Sequence, residues 1–195
     1  MNKLACTLLS LLAVALVLGV GTAAAQDYVY DVGYFTNANN SATPAAHLRL
    51  TNDGASAENL CASIYVFDTA EEMQECCSCE VTPNGYLDLT VNGNLIANIL
   101  DHGTKPTRGI IKEVSSRVPP SGTCSPTYAF PAIGIKGWLT HIQKATATTF
   151  SITETPLTDS TLSATEYGVN LIETCSFVES LGTGTGVCSC ADAGD

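Results

Sequence analysis

Nine cysteines stand in these 195 residues, and their placement constrains the fold more than any other feature. Cys6 lies inside an apolar amino-terminal segment; the other eight are Cys61, Cys76, Cys77, Cys79, Cys124, Cys175, Cys188 and Cys190. The amino-terminal segment has the three parts of an export signal: Lys3, an uncharged run from Leu8 to Val20, and the small residues Ala23-Ala24-Ala25. The run falls short of the ~20 residues that a spanning helix needs. A lipid-bearing cysteine would follow such a run, whereas Cys6 precedes most of it. Residues 1–25 are therefore expected to be cleaved as a signal peptide, and the mature protein to be secreted. An even count of eight cysteines in an exported chain predicts four disulfides. Eight cysteines permit about 105 pairings, so the connectivity stays open.

Two clusters carry most of these sulfurs: Cys76-Cys77-Ser78-Cys79 and Cys188-Ser189-Cys190. Adjacent cysteines strain the backbone when bonded to each other, so Cys76 and Cys77 are expected to reach different partners. At least one bond is expected to join the first cluster to the second. The competing reading is a metal held by Cys77, Cys79, Cys188 and Cys190. Structural zinc favours cysteines two to four residues apart rather than C-x-C, and an oxidising compartment disfavours free thiolates. No metal cofactor is expected there.

The expected mature chain of about 170 residues suits one domain, 26–195, with its own core. Charged residues make up 14% of the sequence, well under the roughly 25% of an average soluble domain. Uncharged polar residues replace them, with 24 Thr and 15 Ser. The net charge of −11 becomes −12 once Lys3 is removed. That balance argues against nucleic acid and against an anionic membrane surface as partners. No second apolar run of spanning length follows the signal, so no membrane insertion is expected after cleavage.

Strand patterns punctuate the chain. Tyr28 to Phe35 is rich in β-formers, with tyrosines at period two. Leu48 and Leu50 flank Arg49, before a turn at Thr51-Asn52-Asp53-Gly54. Cys61 to Asp68 carries a run of apolar residues and reads as a strand buried on both faces. Leu87-Asp88-Leu89-Thr90-Val91 alternates, with one packed and one wet face, and Asn92-Gly93 behind it signals a hairpin turn. Gly109 to Val114, Trp138 to Ile142 and Thr148 to Thr155 complete the set. Ser163-Ala164-Thr165-Glu166 fits a capping box, and Leu171, Cys175, Val178 and Leu181 follow at helical spacing up to Gly182. The expected fold is mainly β: an Ig-like β-sandwich, disulfide-stapled, with one C-terminal amphipathic helix over about 162–181 pinned through Cys175.

No nucleophile elbow or metalloprotease motif is present. His47, His102 and His141 are isolated and read as surface or half-buried residues. Gly182-Thr183-Gly184-Thr185-Gly186 follows a helix rather than preceding one, so it does not read as a phosphate loop. Asp68, Glu71, Glu72, Glu75 and Glu80 offer hard oxygen ligands for Ca²⁺, but without the alternation and turn glycine of a calcium loop. They read as a solvated acidic face. Asn39-Asn40-Ser41 is a lone glycosylation triplet. Tyr28, Tyr30 and Tyr34 read as ordinary strand packing, with an adhesive strip as the sharper alternative.

The segment from Asn59-Leu60-Cys61-Ala62-Ser63-Ile64-Tyr65-Val66-Phe67-Asp68 through Glu72-Met73-Gln74-Glu75-Cys76-Cys77-Ser78-Cys79 to Thr82-Pro83-Asn84-Gly85 resembles a group of exported, cysteine-rich bacterial proteins of unknown function. Leu95-Ile96-Ala97-Asn98 and the tail from Cys175 to Val178 and Gly184 to Cys190 are similar to further parts of that group, whose usual tail is tighter. The resemblance implies export and a shared disulfide framework, and carries over no activity. The expected function is a non-enzymatic extracellular or cell-surface structural or adhesive module. Its partners would be itself or other extracellular components, with assembly through the N-terminal strand. The alternative is a secreted glycosidase-like hydrolase working with paired carboxylates. Four disulfides require the unreduced protein to weigh eight hydrogens less than the reduced chain, read by intact mass spectrometry. Eight titratable thiols with bound metal would contradict them.

Overall fold

Runs of β-branched, aromatic and cysteine residues form nine strands among the described residues. The computed structural model describes residues 28–100, 105–128, 130–144, 146 and 148–181. The expected signal, His102, the 182–186 glycine loop, Cys188 and Cys190 lie outside them. The strands are β1 (Tyr28–Phe35), β2 (His47–Asn52), β3 (Leu60–Phe67), β4 (Met73–Val81), β5 (Tyr86–Thr90), β6 (Gly109–Arg117), β7 (Ile135–Lys144), β8 (Phe150–Pro156) and β9 (Thr158–Leu162). They form two antiparallel sheets, β4-β3-β6-β1-β9 and β5-β2-β7-β8. The architecture is mainly β, a two-sheet sandwich of broadly immunoglobulin-like build.

The first sheet is buried on both faces. Leu60, Ala62, Ile64 and Val66 of β3 point between the sheets, where they meet Leu48, Leu50, Leu87, Leu89, Ile111 and Leu139. Tyr65 points the other way, into a second core with Met73, Cys76, Val114, Leu162, Tyr167, Leu171, Cys175 and Val178. The last four belong to the helix α1 (164–180), which lies on the outer face of this sheet. Its start is the expected capping box: the Ser163 hydroxyl accepts from the Glu166 amide, and the Glu166 carboxylate accepts from the Ser163 amide. Its middle, Tyr167–Glu173, is wound as a π-helix before the α-helical Thr174–Ser180.

Two disulfides with described partners fasten this cover. Cys76–Cys175 ties β4 to α1, and Cys61–Cys124 ties β3 to the loop after β6. The Tyr65 hydroxyl donates to the Pro126 carbonyl of that same loop at 2.6 Å. Cys77 and Cys79 are disulfide-bonded as well. Cys76 and Cys77 therefore do reach different partners, since neighbouring side chains on a strand leave opposite faces. The expected bond between the two clusters falls on Cys188 and Cys190, outside the described residues.

The chain passes from one sheet to the other at Leu157, between β8 and β9. Its amide donates to the Gly137 carbonyl at 2.8 Å, and its side chain lodges between Gly33 of β1 and Gly137 of β7. A Cβ on either glycine would stand 2.5–2.6 Å from a Leu157 methyl, so only glycine admits this approach.

Four expectations change. Asn92-Gly93 makes no hairpin: Val91–Leu95 winds into one π-helical turn that buries Val91 and Leu95. The Asn94 side chain takes the Thr90 amide at 2.8 Å, ending strand pairing there. Met73–Val81, read only as acidic and cysteine-rich, is a full strand whose cysteines pack as small apolar residues. Thr158–Leu162, read as no element, is the edge strand β9. Finally, β1 is an interior strand, with β6 on one side and β9 on the other. It is not the open edge that assembly through the N-terminal strand requires.

The double variant Cys76→Ser/Cys175→Ser opens a loop of 99 residues. The chain-entropy account puts the loss at about 4–5 kcal/mol, so the melting temperature should drop by many degrees in calorimetry under non-reducing conditions. An unchanged melting temperature would mean that α1 holds to the sheet without the bond.

Candidate functional site

Among the described residues, chemically active side chains gather on an open sheet face, inside the sandwich and in a groove beside α1. The most exposed is the outer face of the β5-β2-β7-β8 sheet. Antiparallel register sets Tyr86 opposite Thr51 and Asp88 opposite Arg49, then Arg49 opposite Trp138 and Trp138 opposite Pro156. Residues directly opposite share a face, so Tyr86, Asp88, His47, Arg49, Trp138 and Glu154 form one surface. Tyr86 is 51% exposed and Trp138 38%. Beside them runs a polar chain. Asp88 accepts from His47 Nδ1 at 2.6 Å, from Arg49 Nε at 3.2 Å and from the Tyr86 hydroxyl at 3.0 Å, and Arg49 also donates to Glu154. Burial tends to raise the Asp88 carboxyl, but the hydrogen bonds from His47, Tyr86 and Arg49 outweigh it and hold it below its ordinary value. The carboxylates around Arg49, Glu154 foremost, hold its guanidinium firmly charged.

The second place is inside the sandwich. Asp31 of β1 faces Glu113 of β6 on one side and Asp159 of β9 on the other. Asp31 and Glu113 are buried, and one Glu113 oxygen and the Ser115 hydroxyl have no hydrogen-bond partner. They line a cavity of about 30 Å³ with Lys136. Burial first, then the hydrogen bond and charge of Asp159, push Asp31 up to about 6. Burial and the Asp31 charge push Glu113 well above the carboxylate range, against the pull of Lys136. Glu75 is a similar case on the inward side of β4: burial raises it to about 7, although the Asn98 amide and Lys105 pull it down.

The third is a groove of about 600 Å³ between α1, β6 and the β3–β4 turn. Phe67, Met73 and Phe177 give it an apolar floor, and Asp68, Glu71 and Glu72 an acidic rim. Asp68 is committed to the turn: one oxygen accepts from the Ala70 and Glu72 amides and the other from the Gln74 side chain.

The sequence-derived candidates scatter across this map. Of the five acids read as a possible Ca²⁺ face, Asp68, Glu71 and Glu72 stay at the turn and Glu75 turns inward. Glu80 lies at the far end of β4, where Asn59 donates to it. They do not converge, because an extended strand carries them apart. Cys77 and Cys79 are bonded and offer no thiolates to a metal. His141 is structural: Nε2 meets the Thr155 hydroxyl at 2.6 Å, the ring stacks on Tyr34 at 4.3 Å, and burial lowers its pKa. His47 belongs to the open face. Tyr28 and Tyr30 pack at the margin of the core beneath α1, and Tyr34 is 52% exposed, so the three form no common strip. Asn39 is exposed in the β1–β2 loop at φ 50°.

Sequence reasoning did not single out Trp138, Tyr86, Glu154, Asp31 or Glu113. The signal for the acids was present: Ile111, Glu113 and Ser115 alternate on the inward side of a strand. No family model, curated protein or solved structure matches the chain. No helix among the described residues is long and apolar enough to cross a membrane.

The buried acids set the pH dependence of stability. A carboxyl with a raised folded pKa keeps its proton in the native state after the unfolded chain has lost it, so stability falls as pH rises between the two values. For Glu75 that window runs from 4.5 to about 7, and for Asp31 from 3.8 to about 6. The protein should be more stable at the acid end than above neutrality. In chemical denaturation Glu75→Gln should recover about 2–3 kcal/mol at high pH and little at low pH. A wild-type stability that rises through this range would contradict the assignment.

Proposed function

We propose that this chain is an exported, non-enzymatic extracellular or cell-surface module that attaches to its partner through the outer face of the β5-β2-β7-β8 sheet. One observation carries the reading. That face presents Tyr86 and Trp138 beside a fixed polar chain, while α1 and the Cys124 loop lie across the outer face of the companion sheet. Side chains held by a sheet and by one another lose little freedom on binding, which favours recognition. The disulfides fit an oxidising compartment. The resemblance to exported cysteine-rich proteins agrees with that location.

The hydrolase reading stands second. It needs two carboxylates across a space that admits a substrate. Asp31 and Glu113 flank a cavity of about 30 Å³, far under the several hundred Å³ of an ordinary ligand site. The larger groove carries Glu71 and Glu72 on its rim, and a pocket of about 410 Å³ is lined by Glu58 and Glu80, so both have room for a substrate.

Purified mature protein, fluorescently labelled, should bind intact producing cells or their extracellular matrix saturably. Tyr86→Ala/Trp138→Ala should lose most of that binding while keeping its melting temperature. Glu71→Gln/Glu72→Gln should bind as the parent does. Binding that survives the first variant and fails in the second would move the site to the groove.

A further inference from the structure

We propose that the open sheet face binds a neutral polysaccharide, with Tyr86 and Trp138 stacking on sugar rings and the polar chain beside them bonding to hydroxyls. The proposal rests on the module reading and names its ligand.

The two rings are spaced for a polymer. They lie two strands and two residues apart, which strand spacings convert to roughly 12 Å, wider than one sugar ring. A single monosaccharide would reach one ring only; an extended chain meets both. Sugar rings present apolar C–H faces, which pair with aromatic faces, and a perimeter of hydroxyls, which pair with polar groups.

The polar groups beside the rings are of the right kind. Tyr86 and His47 converge on Asp88, Arg49 links Asp88 to Glu154, and the bonds fix every one of these side chains in place. They do not exhaust its capacity. A guanidinium has five N–H donors, of which Arg49 spends two here, and a carboxylate has about four acceptor positions, of which Glu154 spends one. Spare donors and acceptors therefore face outward from rigid positions, as a polyhydroxylated ligand requires.

The charge pattern selects against ionic ligands. Arg49 and the exposed Lys136, which stands opposite Thr51 on the same face, balance Asp88 and Glu154, so the face carries no net charge. The face therefore offers no excess of positive charge to a sulfate, a uronate or a phosphate. The whole chain, at −11, repels anionic polymers further. A neutral glycan meets no such barrier and needs no free charge.

Trp138 is the chain's single tryptophan, so its emission reports on this face alone. Mature protein is titrated with soluble neutral glycans of several linkages (β-glucan, mannan and xylan fragments), and co-sedimented with cellulose and chitin. Alginate serves as the anionic control. One or more neutral glycans should shift Trp138 emission saturably, with an affinity unaffected by a tenfold rise in salt. Tyr86→Ala keeps the reporter and should weaken binding about three- to tenfold, as loss of one aromatic contact implies. Trp138→Ala should abolish sedimentation with the insoluble polymer while the melting temperature holds.

No response to any neutral glycan overturns the proposal, as does a response confined to alginate that fades with salt. Binding to cells stripped of glycan, if still lost in Tyr86→Ala/Trp138→Ala, overturns the glycan and leaves the module reading standing with a protein partner. Loss of both cell binding and glycan binding in the parent protein overturns both readings.

Discussion

Strand β3, at the heart of the β4-β3-β6-β1-β9 sheet, is buried on both faces, and the rest of the molecule follows from that. Leu60 to Val66 are buried without interruption, so β3 needs neighbours on both edges and cover on both sides. The β5-β2-β7-β8 sheet supplies one cover. The other is α1, whose inward stripe of Tyr167, Leu171, Cys175 and Val178 is narrow for a helix of its length. A narrow stripe holds weakly in water, and the Cys76–Cys175 bond compensates. Strand β4 is where the two covers meet: Cys76 leaves it towards the helix and Cys77 towards the space between the sheets. Two adjacent cysteines thus serve two different cores, which explains why they sit side by side.

The same constraint decides where charge goes. The chain has few ionisable residues, and several are spent inside. Asp31, Glu75 and Glu113 lie on inward faces of the first sheet, and their raised pKa values record the cost of that placement. The cost is about 2–3 kcal/mol for a group like Glu75 above neutrality, roughly half of what a long-range disulfide returns. Covalent ties and interior acids therefore belong to one balance. Most of the paired charge that remains is concentrated on the one broad sheet face that α1 and the Cys124 loop leave open.

Much of this architecture is legible in the sequence, for identifiable reasons. The Tyr28 and Cys61 strands, the Gly109 strand and the capped helix announce themselves through local periodicity and local hydrogen bonding, as at Ser163 and Glu166. Met73–Val81 does not, because its cysteines and acids invite a chemical reading and its register slips at Val66/Phe67, which breaks the alternation. Thr158–Leu162 is all but polar and becomes a strand by pairing with β1, not by its own propensity. The open face is hidden for a deeper reason. Leu87-Asp88-Leu89-Thr90 shows a wet side, but nothing local says that Arg49, 39 residues before Asp88, and Glu154, 66 residues after it, will stand on the same face. Register between distant strands is a property of the assembled sheet.

Paired charge on a flat face also fixes the kind of binding such a surface supports. With its charges balanced, the face has little field to draw a ligand in, so association proceeds at ordinary rather than steered rates. Affinity must come from slow release. Stacking on two separated rings is individually weak, yet a repeating ligand that loses one contact is held by the other and rebinds at high local concentration. A short ligand gains nothing from the second ring. The spacing of Tyr86 and Trp138 therefore favours polymers through geometry alone, and the rigidity of the strands beneath them keeps that spacing from relaxing to suit anything smaller.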